Sequence, residues 1–115
     1  METTGNKKVY VIGDKESLDV WGLFGDIESA GYEPVMVEPS NLEEAATAVY
    51  CATGNDCRLR ETLLFAAIGN NVRILPVLFQ GGRIPAILAD VASADMRTDK
   101  RKGWLRLIEG IRRFA

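Results

Sequence analysis

The chain reads as an α/β domain whose core is one open, all-parallel sheet of five strands in the order 2-1-3-4-5, with helices on both faces. Three observations carry that expectation. Short β-branched runs alternate with stretches of helical period along the whole chain, the pattern of strand–helix–strand units. The runs are apolar at nearly every position, as strands covered on both faces must be. Finally, 115 residues suffice for one core and are about half of what an eightfold barrel needs. A doubly wound open sheet is what remains. Residues 1–7 are expected to form a flexible lead and residues 8–115 a single domain.

The elements follow in order. Lys8-Val9-Tyr10-Val11-Ile12-Gly13 is the first strand. From Ser17 to Ala30 the positions Val20, Leu23, Phe24, Ile27 and Ala30 keep helical spacing, with Ser17 as N-cap and Gly31 as stop. Pro34–Glu38 is a second strand, and Pro39-Ser40-Asn41 opens a short helix through Ala45. Ala48–Ala52 reads as a third strand, although the preceding helix could instead run on to Ala52. Cys57–Ile68 is helical and its core Leu63-Leu64-Phe65-Ala66-Ala67-Ile68 is apolar almost all round, so it is expected to be buried on most of its surface. Gly69-Asn70-Asn71 ends it. Val72–Phe79 is the clearest strand, except that Pro76 cannot donate to a ladder and argues for a bulge or a strand end. Gln80–Arg83 is a turn, Pro85 can open a short helix through Leu88, and Ala92–Met96 is a short edge strand. Trp104, Leu107, Ile108, Ile111 and Phe114 then form the apolar stripe of a last helix.

Composition excludes several chemistries. Histidine is absent, which removes Ser–His and Cys–His catalysis and His-ligated metals. Cys51 and Cys57 are too few for a thiolate zinc site, and their spacing is not the redox Cys-x-x-Cys. No metal or cofactor is therefore expected, and two free thiols suit a reducing cytoplasm. No stretch has the apolar length of a membrane span or a secretory signal, so no membrane partner is expected. The formal charge of −2 hides an asymmetry: residues 1–96 carry seven basic and fourteen acidic side chains, residues 97–115 seven and two. The basic run is short and mixed with an apolar stripe, so nucleic-acid binding is not expected. It suits either a solvated helix face or head-to-tail contact between unlike poles.

In open parallel sheets ligands sit outside the carboxyl ends of the strands, near the point where successive crossovers diverge. That rule singles out Gly13, Asp14 and Lys15, then Glu38 and Pro39, then Gly54, Asn55 and Asp56, and the turn at Gln80-Gly81-Gly82. Neither Gly-x-Gly-x-x-Gly nor a P-loop follows the first strand. Asp14 and Asp56 imitate part of a phospho-receiver site, but Arg97-Thr98-Asp99 follows the fifth strand where a Lys would be needed. Glu61 opens the helix at the divergence point. Facing a water-poor crevice, its carboxylate could stabilise the cation formed when an N-ribosyl bond breaks, with no histidine required. Equally, it could pair with Arg58 or Arg60, or complement the helix dipole.

From Cys57 onward the chain resembles a Toll/interleukin-1 receptor (TIR) domain, particularly of the bacterial kind. The residues that carry the likeness are Cys57-Arg58-Leu59-Arg60-Glu61, Leu64-Phe65-Ala66-Ala67, Arg73-Ile74-Leu75-Pro76-Val77-Leu78, Ile84-Pro85-Ala86-Ile87-Leu88, Ala94-Asp95-Met96-Arg97 and Trp104-Leu105-Arg106-Leu107-Ile108. The first half agrees in outline, through Val9–Ile12 and Gly31–Val35. Glu38–Ala48 is shorter than the family norm, and Cys57 stands where an aromatic is usual. The resemblance implies a flavodoxin-like three-layer fold and self-association, as a homo-oligomer or with other TIR-type domains. It also implies cleavage of NAD+ as a substrate, releasing nicotinamide, with Glu61 as the catalytic carboxylate. Gly13, Asp14, Lys15, Glu38, Gly54 and Asn55 would then be substrate-binding, and Trp21 and Tyr50 core residues. Other TIR domains are inactive homotypic adaptors. Nucleoside deoxyribosyltransferases have a similar alternation and a Glu in the corresponding helix, but that likeness ends after the helix.

Overall fold

The computed structural model describes residues 7–55 and 57–114. The expected flexible lead therefore lies, apart from Lys7, outside the described residues, as does Asp56. Five strands, β1 (Lys8–Ile12), β2 (Glu33–Met36), β3 (Thr47–Ala52), β4 (Arg73–Leu78) and β5 (Ala94–Asp95), form one sheet in the order β2-β1-β3-β4-β5. Every pairing is parallel. Three helices connect them: α1 (Leu18–Ser29), α2 (Arg58–Gly69) and α3 (Lys100–Phe114), with single 3-10 turns at Leu42–Glu44 and Ala86–Leu88.

Strand alternation divides the core into two layers. Tyr10, Ile12, Ala48, Tyr50, Ala52, Ile74 and Leu78 point to one face and pack under Leu63, Leu64 and Ala67 of α2. Val9, Val11, Val49, Cys51 and Val77 point to the other and meet Val20, Leu23 and Ile27 of α1 and Leu107, Ile108 and Ile111 of α3. The crossover through α1 leads outward from β1, and the crossover through α2 leads the opposite way from β3. The two diverge between β1 and β3.

Local chemistry sets the helix limits. The Ser17 hydroxyl accepts from the Val20 amide and caps α1. Gly31 (φ 94°) ends it in a Schellman arrangement, its amide bonded to the Glu28 carbonyl and that of Tyr32 to Ile27. α2 ends the same way on Asn71 (φ 61°), with Val72 bonded back to Ala67.

Three expectations are corrected. Pro76 is neither a bulge nor a strand end: it lies inside β4, opposite Tyr50. The amides of Arg73 and Phe79 point to β3, so odd positions face that way and Pro76 faces β5. Pairing with β5 begins only at Val77, so the missing N–H costs no ladder bond. α2 is not covered on most of its surface, because Leu59 and Phe65 are more than half exposed. Trp21 is not core either; it lies on the surface, edge-on to Phe24 at 5.0 Å, and its indole N–H donates to the Lys15 carbonyl at 2.7 Å.

Candidate functional site

Above the carboxyl ends of β1, β2 and β3 lies a cleft of about 410 Å³. The β1–α1 loop contributes Gly13, Asp14, Lys15 and Glu16, and the end of β2 contributes Met36, Val37, Glu38 and Pro39. Asn55, Cys57, Arg58, Leu59 and Leu63 close the side toward α2. Five of the six residues expected to bind substrate are thus brought to one hollow. Gly54, the sixth, is not among the lining residues. It packs the β3–α2 loop against the next one, where a Cβ would stand 3.4 Å from Gly81 Cα and the Gln80 carbonyl.

The cleft floor is tied together by hydrogen bonds. Asp14 is buried, and its carboxylate accepts from the Glu16 amide at 2.9 Å and from the Asn55 side-chain amide. This second bond joins the loops after β1 and β3 across the divergence point. At the rim, Lys15 Nζ pairs with Glu38 Oε1 at 3.1 Å, both side chains being about half exposed. Such a pair contributes at most about 1 kcal/mol and can open to admit a ligand.

Glu61 stands apart from this hollow. Leu59 and Leu63 present one flank of α2 to the cleft. Glu61 lies two residues from each, about 200° around the helix axis; its side chain is exposed and does not line the cleft, although Cys57 and Arg58, one turn before it, do. Its charge is felt instead at Tyr50. Burial pushes the Tyr50 hydroxyl above the ordinary phenol range, Arg60 opposes that shift and Glu61 adds to it.

The residue next to it plays an unforeseen part. Arg60 is buried, its guanidinium lies 5.7 Å from the centre of the Tyr50 ring, and Nη1 donates to Thr53 Oγ1 at 2.9 Å. Thr53 Oγ1 also accepts from the Asn55 amide at 3.3 Å. A continuous relay, Arg60–Thr53–Asn55–Asp14, therefore holds the loop that forms the cleft wall. The Arg60 Nε finds no hydrogen-bond partner among the described residues. Cys57 occupies the N-cap of α2 without a side-chain capping bond and is half-buried at the cleft, while Cys51 is fully buried; both are free thiols. No helix among the described residues is long and apolar enough to cross a membrane.

A five-stranded parallel sheet of this order, wrapped by α1 and α3 on one face and α2 on the other, with a cleft where the crossovers diverge, is a small flavodoxin-like α/β domain. More narrowly, the architecture is that of a TIR domain. The crystal structure of the TIR domain of the Toll-related receptor TRR-2, from the lower metazoan Hydra magnipapillata, matches it with a TM-score of 0.70 at 18% sequence identity. The match covers 90% of this chain and 97% of that one. No protein-family model and no curated protein matches the sequence. The chain is TIR-like in fold.

Proposed function

We propose that this chain is a TIR-type interaction module of the cytoplasm, working by association with copies of itself or with other domains of the same fold. The observation that supports this reading is the position of Glu61. N-ribosyl cleavage needs a fixed carboxylate against the sugar carbon, and the carboxylate that the resemblance nominates is exposed and not among the residues that line the cleft. Asp14 and Glu38, which do line the cleft, are already engaged by the Asn55 amide and the Lys15 ammonium. The working part is then the surface, and the two free cysteines suit a reducing compartment.

A second reading, hydrolysis of NAD+ to nicotinamide and ADP-ribose, is favoured by the cleft itself. It gathers Gly13, Asp14, Lys15, Glu38 and Asn55 at the place where such folds hold ligands. Concentrated protein incubated with NAD+, with Glu61→Gln as control, separates the two. Self-association without nicotinamide release is the expected result. Nicotinamide release that disappears in Glu61→Gln establishes the enzyme and overturns the module as the principal role.

A further inference from the structure

We infer that a second ligand site lies between α1 and α3, on the face of the sheet away from α2, and that its ligand is a free amino acid with an apolar side chain. The site goes beyond the module reading and does not rest on it. α1 packs on β2, and α3 on β4 and β5. Strand order therefore leaves a gap between the two helices above β3, and a hollow of about 180 Å³ occupies it. That is room for about six waters, which suits one small organic molecule and is too little for a nucleotide. The floor is apolar and fixed in advance. Phe79 and Met96, both buried, form it beside the half-buried Trp104. The Phe79 amide is pinned on the Ala52 carbonyl at 3.0 Å and the Met96 amide on the Leu78 carbonyl at 2.8 Å. Gly22 keeps the α1 wall open, since a Cβ there would meet nothing within 4 Å. Leu18 also lines the hollow and, at 87% exposed, has apolar surface left to cover a guest.

Charge selects the guest. Asp19 and Asp26 line the hollow from α1, and Lys100 lines it from α3. All three are exposed. Among the described residues the ion pairs are Lys15–Glu38 and Arg97–Asp95, so none of the three pairs with another described residue. The two walls thus carry opposite charges that do not close on each other. An organic cation would be repelled by Lys100, and an anion would face two carboxylates. A zwitterion answers both walls, its ammonium on the aspartates and its carboxylate on the lysine, with an apolar side chain left for the floor. The helix dipoles agree with that orientation. Asp26 stands in the last turn of α1, where a cation is favoured, and Lys100 in the first turn of α3, where an anion is favoured.

Two-dimensional proton–nitrogen NMR of the whole chain, titrated with L-leucine, tests this. The Gly22 amide and the Trp104 indole are expected to shift saturably while the cleft loops stay unmoved. Isopentylamine, which lacks the carboxylate, and isocaproate, which lacks the ammonium, should each bind roughly tenfold more weakly or worse. D26N and K100Q should each weaken leucine by a similar factor. G22L fills the hollow and should abolish binding. G25L is the control: its Cβ also meets nothing within 4 Å, and Gly25 does not line the hollow, so binding should survive. Far-UV circular dichroism checks that all four variants fold. No saturable shift with leucine, or shifts that G22L does not remove, overturns the site. Isopentylamine binding as tightly as leucine overturns the zwitterion in favour of an organic cation, and isocaproate doing so overturns it in favour of an anion. Gly22 and Trp104 signals that move with protein concentration and ignore leucine overturn the site in favour of a contact between copies. Leucine bound by a chain that stays monomeric supports the site and counts against the module reading alone.

Discussion

Replacing Gly103 by alanine should loosen the contact that carries α3 on the sheet, although alanine is the better helix former. A Cβ at position 103 would stand 2.5 Å from the Asp95 carbonyl oxygen, 2.9 Å from the Asp95 carbonyl carbon and 2.8 Å from Met96 Sδ. The thioether can rotate away, but the carbonyl belongs to β5, which is held to β4 through the Met96 amide on the Leu78 carbonyl at 2.8 Å. α3 must back off by about an ångström, and overpacking of this kind costs about 1–3 kcal/mol. Against that stands the helix preference for alanine over glycine, about 0.5–1 kcal/mol. The net loss is centred on about 1 kcal/mol, within about 0–2.5 kcal/mol, or roughly 4 °C in Tm per kcal/mol for a chain of this size. Gly22→Ala and Gly25→Ala in α1 are the internal controls. Nothing lies within 4 Å of a Cβ at either position, so each should gain about 0.5–1 kcal/mol. Urea unfolding followed by circular dichroism gives Cm and slope for all three. If Gly103→Ala unfolds at or above the wild-type Cm with an unchanged slope, the argument from the close approach of α3 to β5 is refuted.

Burial pushes the Cys51 thiol up to about 12, so native protein treated with an alkylating reagent at neutral pH should be modified at Cys57 alone, both sites reacting in urea; mass spectrometry reads the difference. Asn71→Ala should lose about 1–2 kcal/mol, because only the left-handed backbone closes the α2 terminus, whereas Asn71→Gly should match or exceed wild type in the same urea assay. Hydrogen bonds from the Arg97 side chain and amide lower the Asp95 carboxyl to about 2. A depressed acid contributes its stability above the unfolded carboxylate range and loses it as pH falls through the folded value. Acid titration followed by circular dichroism should therefore show Asp95→Asn shifting stability at neutral pH and converging with wild type near pH 2; a constant offset across that range would refute the linkage.

Much of the fold was legible because the strands are apolar on both faces and the helix ends carry their own chemistry. Ser17, Gly31 and Asn71 mark termini by hydrogen bonds that local sequence dictates. Periodicity alone leaves Pro76 awkward, although the resemblance accommodates it, because one strand taken alone does not reveal which neighbour each amide faces. Its tolerance depends on β5 starting one residue later in the ladder, a fact of pairing rather than of composition. Trp21 was misplaced even though the buried stripe Val20, Leu23 and Ile27 follows the helical spacing: it sits on α1 off that stripe and is 45% exposed.

The candidate site shows the same limit more sharply. The loops after β1, β2 and β3 had to converge once the strand order was known, and Gly13, Asp14, Lys15, Glu38 and Asn55 followed from that rule alone. The orientation of Glu61 did not follow, because α2 satisfies two helical phases at once. Positions 60, 63, 64 and 67 and positions 61, 64, 65 and 68 each read i, i+3, i+4, i+7 with three apolar members. Periodicity cannot choose between them. The first phase is the one folded inward, since Arg60 has two partners waiting beneath it: the face of Tyr50 for its charge and the Thr53 hydroxyl for a donor. A glutamate turned onto the same tyrosine would meet the negative face of the ring and oppose its own burial. Thus Phe65 and Glu61 are left outside together, and the helix that closes the cleft does so with Leu59 and Leu63 rather than with a carboxylate.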